Sequence, residues 1–241
     1  MQFINHICKT PEENIALDEV LLKKAEKGEI GETIRFWESV DYFVVIGRAG
    51  KIREECLLTE CREAGIKIIR RISGGGTVLQ GPGCLNYSLV ISYDRDKRYR
   101  DIRGSFQAIL GPISEKIRKQ GYNVCICPVS DIALDNKKIS GNAQARKKKY
   151  FLHHGTFLYD FDIAKISQYL SHPGKEPEYR NKRKHHDFLV NLTISVQTIK
   201  QVIKDLFLQV DNSYLLDLKD LQEVKDLVAS KYLSDKWNYE K

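Results

Sequence analysis

Three short segments of this chain combine residue types that could hold a polar ligand and act on it. The first reads Arg70-Arg71-Ile72-Ser73-Gly74-Gly75-Gly76-Thr77. Consecutive glycines let a backbone approach a ligand closely, and the two arginines can meet a phosphate or a carboxylate. The run is not a Walker loop, since no Gly-Lys-Ser/Thr follows, and not a dinucleotide fingerprint, since no helix clearly opens after it. The second segment starts at Ser130-Asp131 and ends in Lys138-Ile139-Ser140-Gly141-Asn142-Ala143-Gln144. A lysine beside small polar residues can reach into a pocket, where its ammonium can hold both a phosphate and a polarised carbonyl oxygen. The third is His153-His154-Gly155-Thr156. Neighbours on a strand point to opposite faces, so these histidines make a poor metal pair; one is expected in the packing and the other on a cavity wall. Taken singly, each segment has a plain alternative: a tight turn, a hairpin with exposed lysines, a strand with a core histidine.

The elements that must position these residues are legible in outline. Thr10-Pro11-Glu12-Glu13 has the form of a capping box with proline at the first helical position, and an apolar stripe of Ile15, Leu17, Leu21, Leu22 and Ala25 carries the helix to Gly28. Residues 33–38 and 42–47 are β-rich runs that predict a hairpin or adjacent strands, and 53–64 predicts a second helix. A strand over 66–72 runs into the glycines, and a strand over 84–93 leaves them. A helix over 102–119 contains Gly111-Pro112, which should kink or interrupt it. Strands are expected near 122–127, 132–134, 138–140 and 151–159, with Asp135-Asn136 as a turn, then a mostly helical stretch from Ser195. Strands joined by short turns, with helices grouped between blocks, predict an α+β fold on a largely antiparallel or mixed sheet flanked by helices. No repeat, low-complexity tract or linker marks a boundary, so residues 1–241 read as one domain, with 172–184 the most flexible part.

Composition narrows the function classes. A 42% hydrophobic content with 10% aromatics can fill a core, and the 29% charged residues are dispersed, which excludes a disordered chain. The net charge of +7 is concentrated at 146–149 and 180–184, two clusters that invite an anionic partner. Nucleic acid is one candidate, but no helix-turn-helix, zinc-finger or RNA-recognition signature accompanies them. The polar start and the lack of an 18-residue apolar run predict a cytoplasmic protein without a membrane span. Six cysteines without C-x-x-C spacing predict reduced thiols.

In order and wording these segments resemble the lipoate–protein ligase family within the biotin/lipoate ligase superfamily. The resemblance runs through Asn14-Ile15-Ala16-Leu17-Asp18-Glu19, Val45-Ile46-Gly47-Arg48, Arg70 and the glycines, Leu85-Asn86-Tyr87-Ser88, Lys138 to Gln144 and His153 to Thr156. It implies a biotin/lipoate ligase-like catalytic domain that activates lipoate with ATP and Mg²⁺ to lipoyl-AMP, then transfers the acyl group to a lysine. The acceptor implied is an acidic lipoyl domain, of the E2 or glycine-cleavage H type. Lys138 falls on the family's catalytic lysine, contacting the adenylate's carbonyl and phosphate. Binding roles are implied for Arg70, Arg71, Ser73, Gly74, Gly75, Gly76, Thr77, Asn86, Ser140, Gly141, Asn142, His154, Gly155 and Thr156. Asp131 falls where the family places an acidic residue near magnesium. An apolar tunnel for the acid is expected to include Phe36, Val78 and Leu79. Biotin is the less expected acid, because biotin ligases carry a different glycine loop.

One departure stands out: Gln80-Gly81 occupies the place where many members carry His-Asp. No accessory C-terminal domain is evident, so a separate accessory protein is one expectation and unaided activation the other. The rival within the superfamily is an octanoyltransferase, which draws the acyl group from a carrier thioester onto a cysteine, here Cys125 or Cys127. A non-catalytic nucleic-acid-binding module ranks below both.

Overall fold

The structure is a computed structural model that describes residues 1–128, 130–208 and 212–240. β1 (Gln2–Ile4) leads to the long helix α1 (Pro11–Lys27). The Thr10 hydroxyl accepts from the Glu13 amide and the Glu13 carboxylate from the Thr10 amide, the reciprocal cap that the local sequence predicts. β2 (Thr33–Trp37) and β3 (Phe43–Ile46) follow, then the short helices α2 (Ile52–Glu55) and α3 (Leu58–Glu63). β4 (Lys67–Arg70), the glycine-rich loop, β5 (Val78–Gln80) and β6 (Cys84–Ser92) lead to α4 (Ile102–Arg118). β7 (Val124–Cys127), β8 (Asp131–Leu134), β9 (Lys137–Arg146) and β10 (Tyr150–Leu158) form a meander. The short α5 (Ile166–Tyr169) and α6 (His185–Phe188) precede α7 (Val196–Phe207), α8 (Leu218–Leu227) and α9 (Asp235–Asn238).

The strands make a seven-stranded sheet in the order β1-β2-β6-β10-β9-β8-β7 and a three-stranded sheet in the order β4-β3-β5. Among the described strands only β1–β2 and β3–β4 pair in parallel, so the sheets are mixed and mostly antiparallel, as expected. On one face of the large sheet α4 and α7 bury Phe106, Ile109, Ile113, Ile199 and Ile203 against Leu85, Leu89, Ile91 and Phe151. On the other, α1 buries Ile15, Leu17, Leu21 and Leu22 against Val90 and Leu152. Burying side chains of this size contributes about 1.5–3 kcal/mol each relative to exposure, and holds both helices to the sheet.

Four expectations need correction. β2 and β3 do not pair: β2 joins the large sheet and β3 the small one, so the turn between them carries the chain from layer to layer. The region 53–64 is two helices, broken at Cys56, which bridges to Leu170 instead. A further strand, β5, stands between the glycines and β6. α4 runs unbroken through Pro112, because its buried stripe outweighs the one backbone bond that proline forgoes. The stretch from Ser195 is largely helical where described; residues 209–211 of it lie outside the described residues. Among the described residues no helix is long and apolar enough to cross a membrane.

Candidate active site

A cavity of about 900 Å³ lies between the two sheets. Its floor comes from alternate residues of β10, Leu152, His154, Thr156 and Leu158, beside Asn86 and Ser88 of β6 and Trp37 of β2. Its roof comes from Val45, Val78, Leu79 and Gln80 of the small sheet with the glycine loop, and one side from Lys138 to Ala143 of β9. The segment between α5 and α6 closes the remaining side with Pro173, Glu176 and Tyr179.

Lys138 sits at a break in strand register. Ile132 faces Ser140, yet Ala133 faces Lys138, which leaves Ile139 without a partner and makes a β-bulge. Bulges re-aim side chains. Here the Lys138 ammonium turns back over Gly141 to the Asp131 carboxylate, with Nζ 2.8 Å from Oδ1. The Tyr179 hydroxyl donates to the other oxygen of Asp131 at 2.7 Å. Burial, then the neighbouring Asp131 charge, pushes the Tyr179 phenol far above its ordinary range, so it stays a donor.

The glycine loop is held from inside by Arg71. Its Nε donates to Ser73 Oγ at 2.9 Å, Nη1 to Val45 O at 3.3 Å, and Nη2 to Gly74 O at 2.6 Å and Gly76 O at 2.9 Å. Burial lowers Arg71 to about 10, still cationic at neutral pH. Gly75 adopts φ +89, in the left-handed region open to glycine, which turns the loop back toward the cavity. Behind the loop Ser73 Oγ lies 2.6 Å from His154 Nε2. Burial first, then Arg71 and His153, pushes His154 down to about 3, so the ring is neutral. Ser73 Oγ accepts from Arg71 Nε and pairs with His154 Nε2, while His154 Nδ1 faces Asp18 Oδ2 at 3.9 Å. Asp18 is itself pinned by Arg35 at 2.9 Å and by the Ser88 hydroxyl at 2.6 Å.

Asn142 is fixed by the Tyr87 hydroxyl, which donates to its Oδ1 at 2.5 Å, while its amide donates to Ser130 O at 2.8 Å. Gly155 makes this possible: a Cβ there would collide with Asn142 Oδ1. Three buried polar atoms of residues that line the cavity have no hydrogen-bond partner among the described residues: Trp37 Nε1, Gln80 Oε1 and Asn86 Nδ2. Unpaired buried groups cost about 1–3 kcal/mol each.

Of the residues singled out in the sequence, Arg71, Gly75, Gly76, Thr77, Asn86, Asp131, Lys138, Ser140, Gly141, Asn142, His154, Gly155 and Thr156 line the cavity. Ser73, which is buried, and Gly74, which is exposed, are not among the described lining residues, and Arg70 faces away, fully buried, with its guanidinium on the carbonyls of Gly47, Gly50, Trp237 and Asn238. Of the expected tunnel residues, Val78 and Leu79 line the cavity; Phe36 instead enters the core on the α4 and α7 side of the sheet, because its neighbour Trp37 takes the cavity face of β2. His153 is fully buried on the opposite face from His154, bonded to Tyr87 and Gln144. Sequence reasoning missed Trp37, Gln80 and Tyr179. Only Gln80 carried a signal, as the departure after the glycine loop.

No cysteine is among the described residues lining the cavity. Cys125 is exposed and Cys127 buried on β7, an edge strand, with their sulfurs 3.8 Å apart. Burial first, then Cys125, pushes the Cys127 thiol up to about 12. The basic clusters are also divided: Arg146 is stacked on Tyr93 and Phe151, and Arg180 on Phe188, whereas Lys147, Lys148 and Lys149 are exposed.

Residues 10–209 match the lipoyl protein ligase A/B catalytic domain. The chain belongs to that family. It is 28% identical to the octanoyltransferase LipM of Lysinibacillus sphaericus, over 99% of this chain and 98% of that one. It is equally 28% identical to lipoate–protein ligase 1 of Staphylococcus aureus, over 99% of this chain and 73% of that one. Among solved structures it resembles a lipoate–protein ligase A bound with ATP, at a TM-score of 0.79 and 25% identity over 99% of this chain and 98% of that one. It shares its fold with Ta0514 of Thermoplasma acidophilum, at a TM-score of 0.82 and 24% identity over the whole of both chains. The chain is thus an enzyme of the lipoate ligase and octanoyltransferase group, acting in protein lipoylation.

Proposed function

We propose that this chain is an ATP-dependent lipoate–protein ligase. In the first half-reaction the lipoate carboxylate attacks the α-phosphorus of ATP and pyrophosphate leaves. In the second, a lysine amine of a lipoyl domain attacks the acyl carbonyl of lipoyl-AMP and AMP leaves. Lys138 would exchange its partner Asp131 for the adenylate, stabilising the oxyanion at the carbonyl and the charge on the departing phosphate. The apolar walls of Trp37, Val45, Leu79 and Leu158 suit the acyl chain, and the unpaired Asn86 amide suits an oxygen-rich head group. Among the described residues no three His, Cys, Asp or Glu side chains gather as a metal site. Mg²⁺ takes one or two protein carboxylates plus nucleotide phosphates and would neutralise phosphate charge. Asp131 is the carboxylate that would hold it. The reading takes residues 1–241 as one cytoplasmic catalytic domain, with an acidic lipoyl domain as acceptor, working alone or with a separate accessory protein.

The observation that carries this reading is a fixed lysine in a cavity with no thiol among its described lining residues. A thioester-exchanging enzyme needs an activated thiolate at the reacting carbonyl, and burial disfavours the thiolate of Cys127. A second reading, octanoyl transfer from a carrier thioester through Cys125 or Cys127, is favoured by the names of relatives matched over their full length. Incubating an apo lipoyl domain with the protein, ATP and Mg²⁺ and offering lipoate, octanoate and biotin together separates these readings. The ligase reading expects a lipoyl mass increment that requires ATP.

A further inference from the structure

We infer that residues 231–240 are an outer clamp on the glycine-rich loop, and that Arg70 is the positioning residue through which the clamp acts. The kinetic part of the test rests on the proposed function; the structural part does not.

β4 is an edge strand of the small sheet, so the outward N–H and C=O of Arg70 face no neighbouring strand. Two side chains of α9 stand in for one. Asn238 Oδ1 accepts from the Arg70 amide at 3.0 Å, and Trp237 Nε1 donates to the Arg70 carbonyl at 2.7 Å. The Arg70 guanidinium then bridges α9 to the turn after β3. It donates to Trp237 O at 3.0 Å and Asn238 O at 3.2 Å on one side, and to Gly47 O at 3.0 Å and Gly50 O at 2.8 Å on the other. That turn carries the loop: the Arg48 amide donates to Ser73 O at 2.8 Å, and the Gly75 carbonyl packs against Gly47.

The clamp is also anchored to α1, away from the loop. The Trp237 ring lies between the Arg48 guanidinium, at 4.5 Å, and the Lys231 ammonium, at 4.0 Å. Lys231 and the Tyr232 hydroxyl both fasten on the Glu19 carboxylate of α1, at 2.8 and 2.6 Å. Asn238 Nδ2 closes the unit by donating to Tyr232 O at 2.8 Å. Arg70 is 0% exposed, so loss of α9 would leave a buried guanidinium and two backbone groups short of partners, and the turn with its loop would shift to regain them. A shifted loop lowers the fraction of molecules competent to bind, which raises the apparent dissociation constant in proportion. Lys138 and Asp131 stand on β9 and β8, outside this chain of bonds, so turnover at saturation should persist.

The test compares Asn238→Ala and Trp237→Phe with the wild type; the phenylalanine keeps an aromatic ring beside the two cations and removes the Nε1 donor. Amide hydrogen exchange is followed over 71–77, and KM for lipoate and for ATP is measured beside kcat. About tenfold faster exchange over 71–77 is expected, with β6 and β10 unchanged. KM should rise about tenfold, equivalent to about 1.4 kcal/mol, with kcat within about twofold. Unchanged exchange over 71–77 in the folded variants overturns the clamp whatever the enzyme's donor. Faster exchange with KM unchanged, or with kcat lost and KM kept, overturns Arg70 as a positioning residue. If wild type uses a carrier thioester instead of ATP, the proposed function fails while the exchange result still decides the clamp, and KM is then read for that thioester.

Discussion

Replacing Lys138 by alanine separates chemistry from folding. The side chain is 24% exposed and its ion pair is with a single carboxylate, so the pair itself contributes about 1 kcal/mol or less. Asp131 keeps the Tyr179 hydroxyl after the change. A loss of about 1 kcal/mol lowers the melting temperature of a chain this size by about 2–4 °C. The chemical cost is larger, because removal of one preorganised donor to a developing oxyanion lowers kcat by about 10²–10³, or about 2.7–4 kcal/mol. The assay pairs a thermal melt with intact-mass timing of acceptor modification at saturating ATP and lipoate. A fall of less than tenfold in a folded variant refutes the role given to Lys138. A melting temperature lowered by more than 10 °C refutes the claim that the residue is dispensable to the fold.

Gly155→Ala pushes a methyl group into Asn142 Oδ1 and to 2.8 Å from a Tyr87 ring carbon, which should cost about 1–3 kcal/mol of stability by denaturant titration; an unchanged midpoint would contradict the packing described. His153 is fully buried and held down to about 3, so between that value and the unfolded 6.5 the unfolded state binds more protons. Stability therefore falls as pH drops through this window, by about 1.4 kcal/mol per unit for this residue. Urea midpoints should fall progressively from pH 7 to pH 4, and this dependence should shrink in His153→Gln. Reversing Lys147, Lys148 and Lys149 to Glu should slow acyl transfer to an acidic acceptor severalfold at low salt while sparing adenylate formation, read by pyrophosphate release. Equal loss in both steps would count against steering.

Where the sequence was informative, the governing physics was local. The Thr10 cap, the stripe of α1 and the opposite facing of His153 and His154 each follow from neighbours within one turn or one pleat. Long-range pairing was not legible: residues 33–38 and 42–47 look alike in composition, yet belong to different sheets. Three-residue β5 is too short to show periodicity. Arg70 and Arg71 illustrate a deeper ambiguity, since a guanidinium serves a phosphate or a set of carbonyls equally well. Only the folded approach of Gly47, Gly50, Trp237 and Asn238, the last two over 160 residues away, reveals that Arg70 serves carbonyls. The bulge at Ile139 that aims Lys138 is likewise a property of the pairing with β8, and residue types alone do not announce it.

The central claim is that Lys138 with ATP, rather than a thiol with a carrier thioester, drives acyl transfer. One experiment bears on it most directly: the Cys125→Ser/Cys127→Ser variant is incubated with apo lipoyl domain, in parallel with ATP, Mg²⁺ and lipoate and with octanoyl carrier protein alone, and the acceptor's intact mass is read over time. The account predicts lipoylation at the wild-type rate in the first mixture and none in the second, for variant and wild type alike. A folded variant that is inactive, beside a wild type that octanoylates the acceptor from carrier protein without ATP, would contradict it.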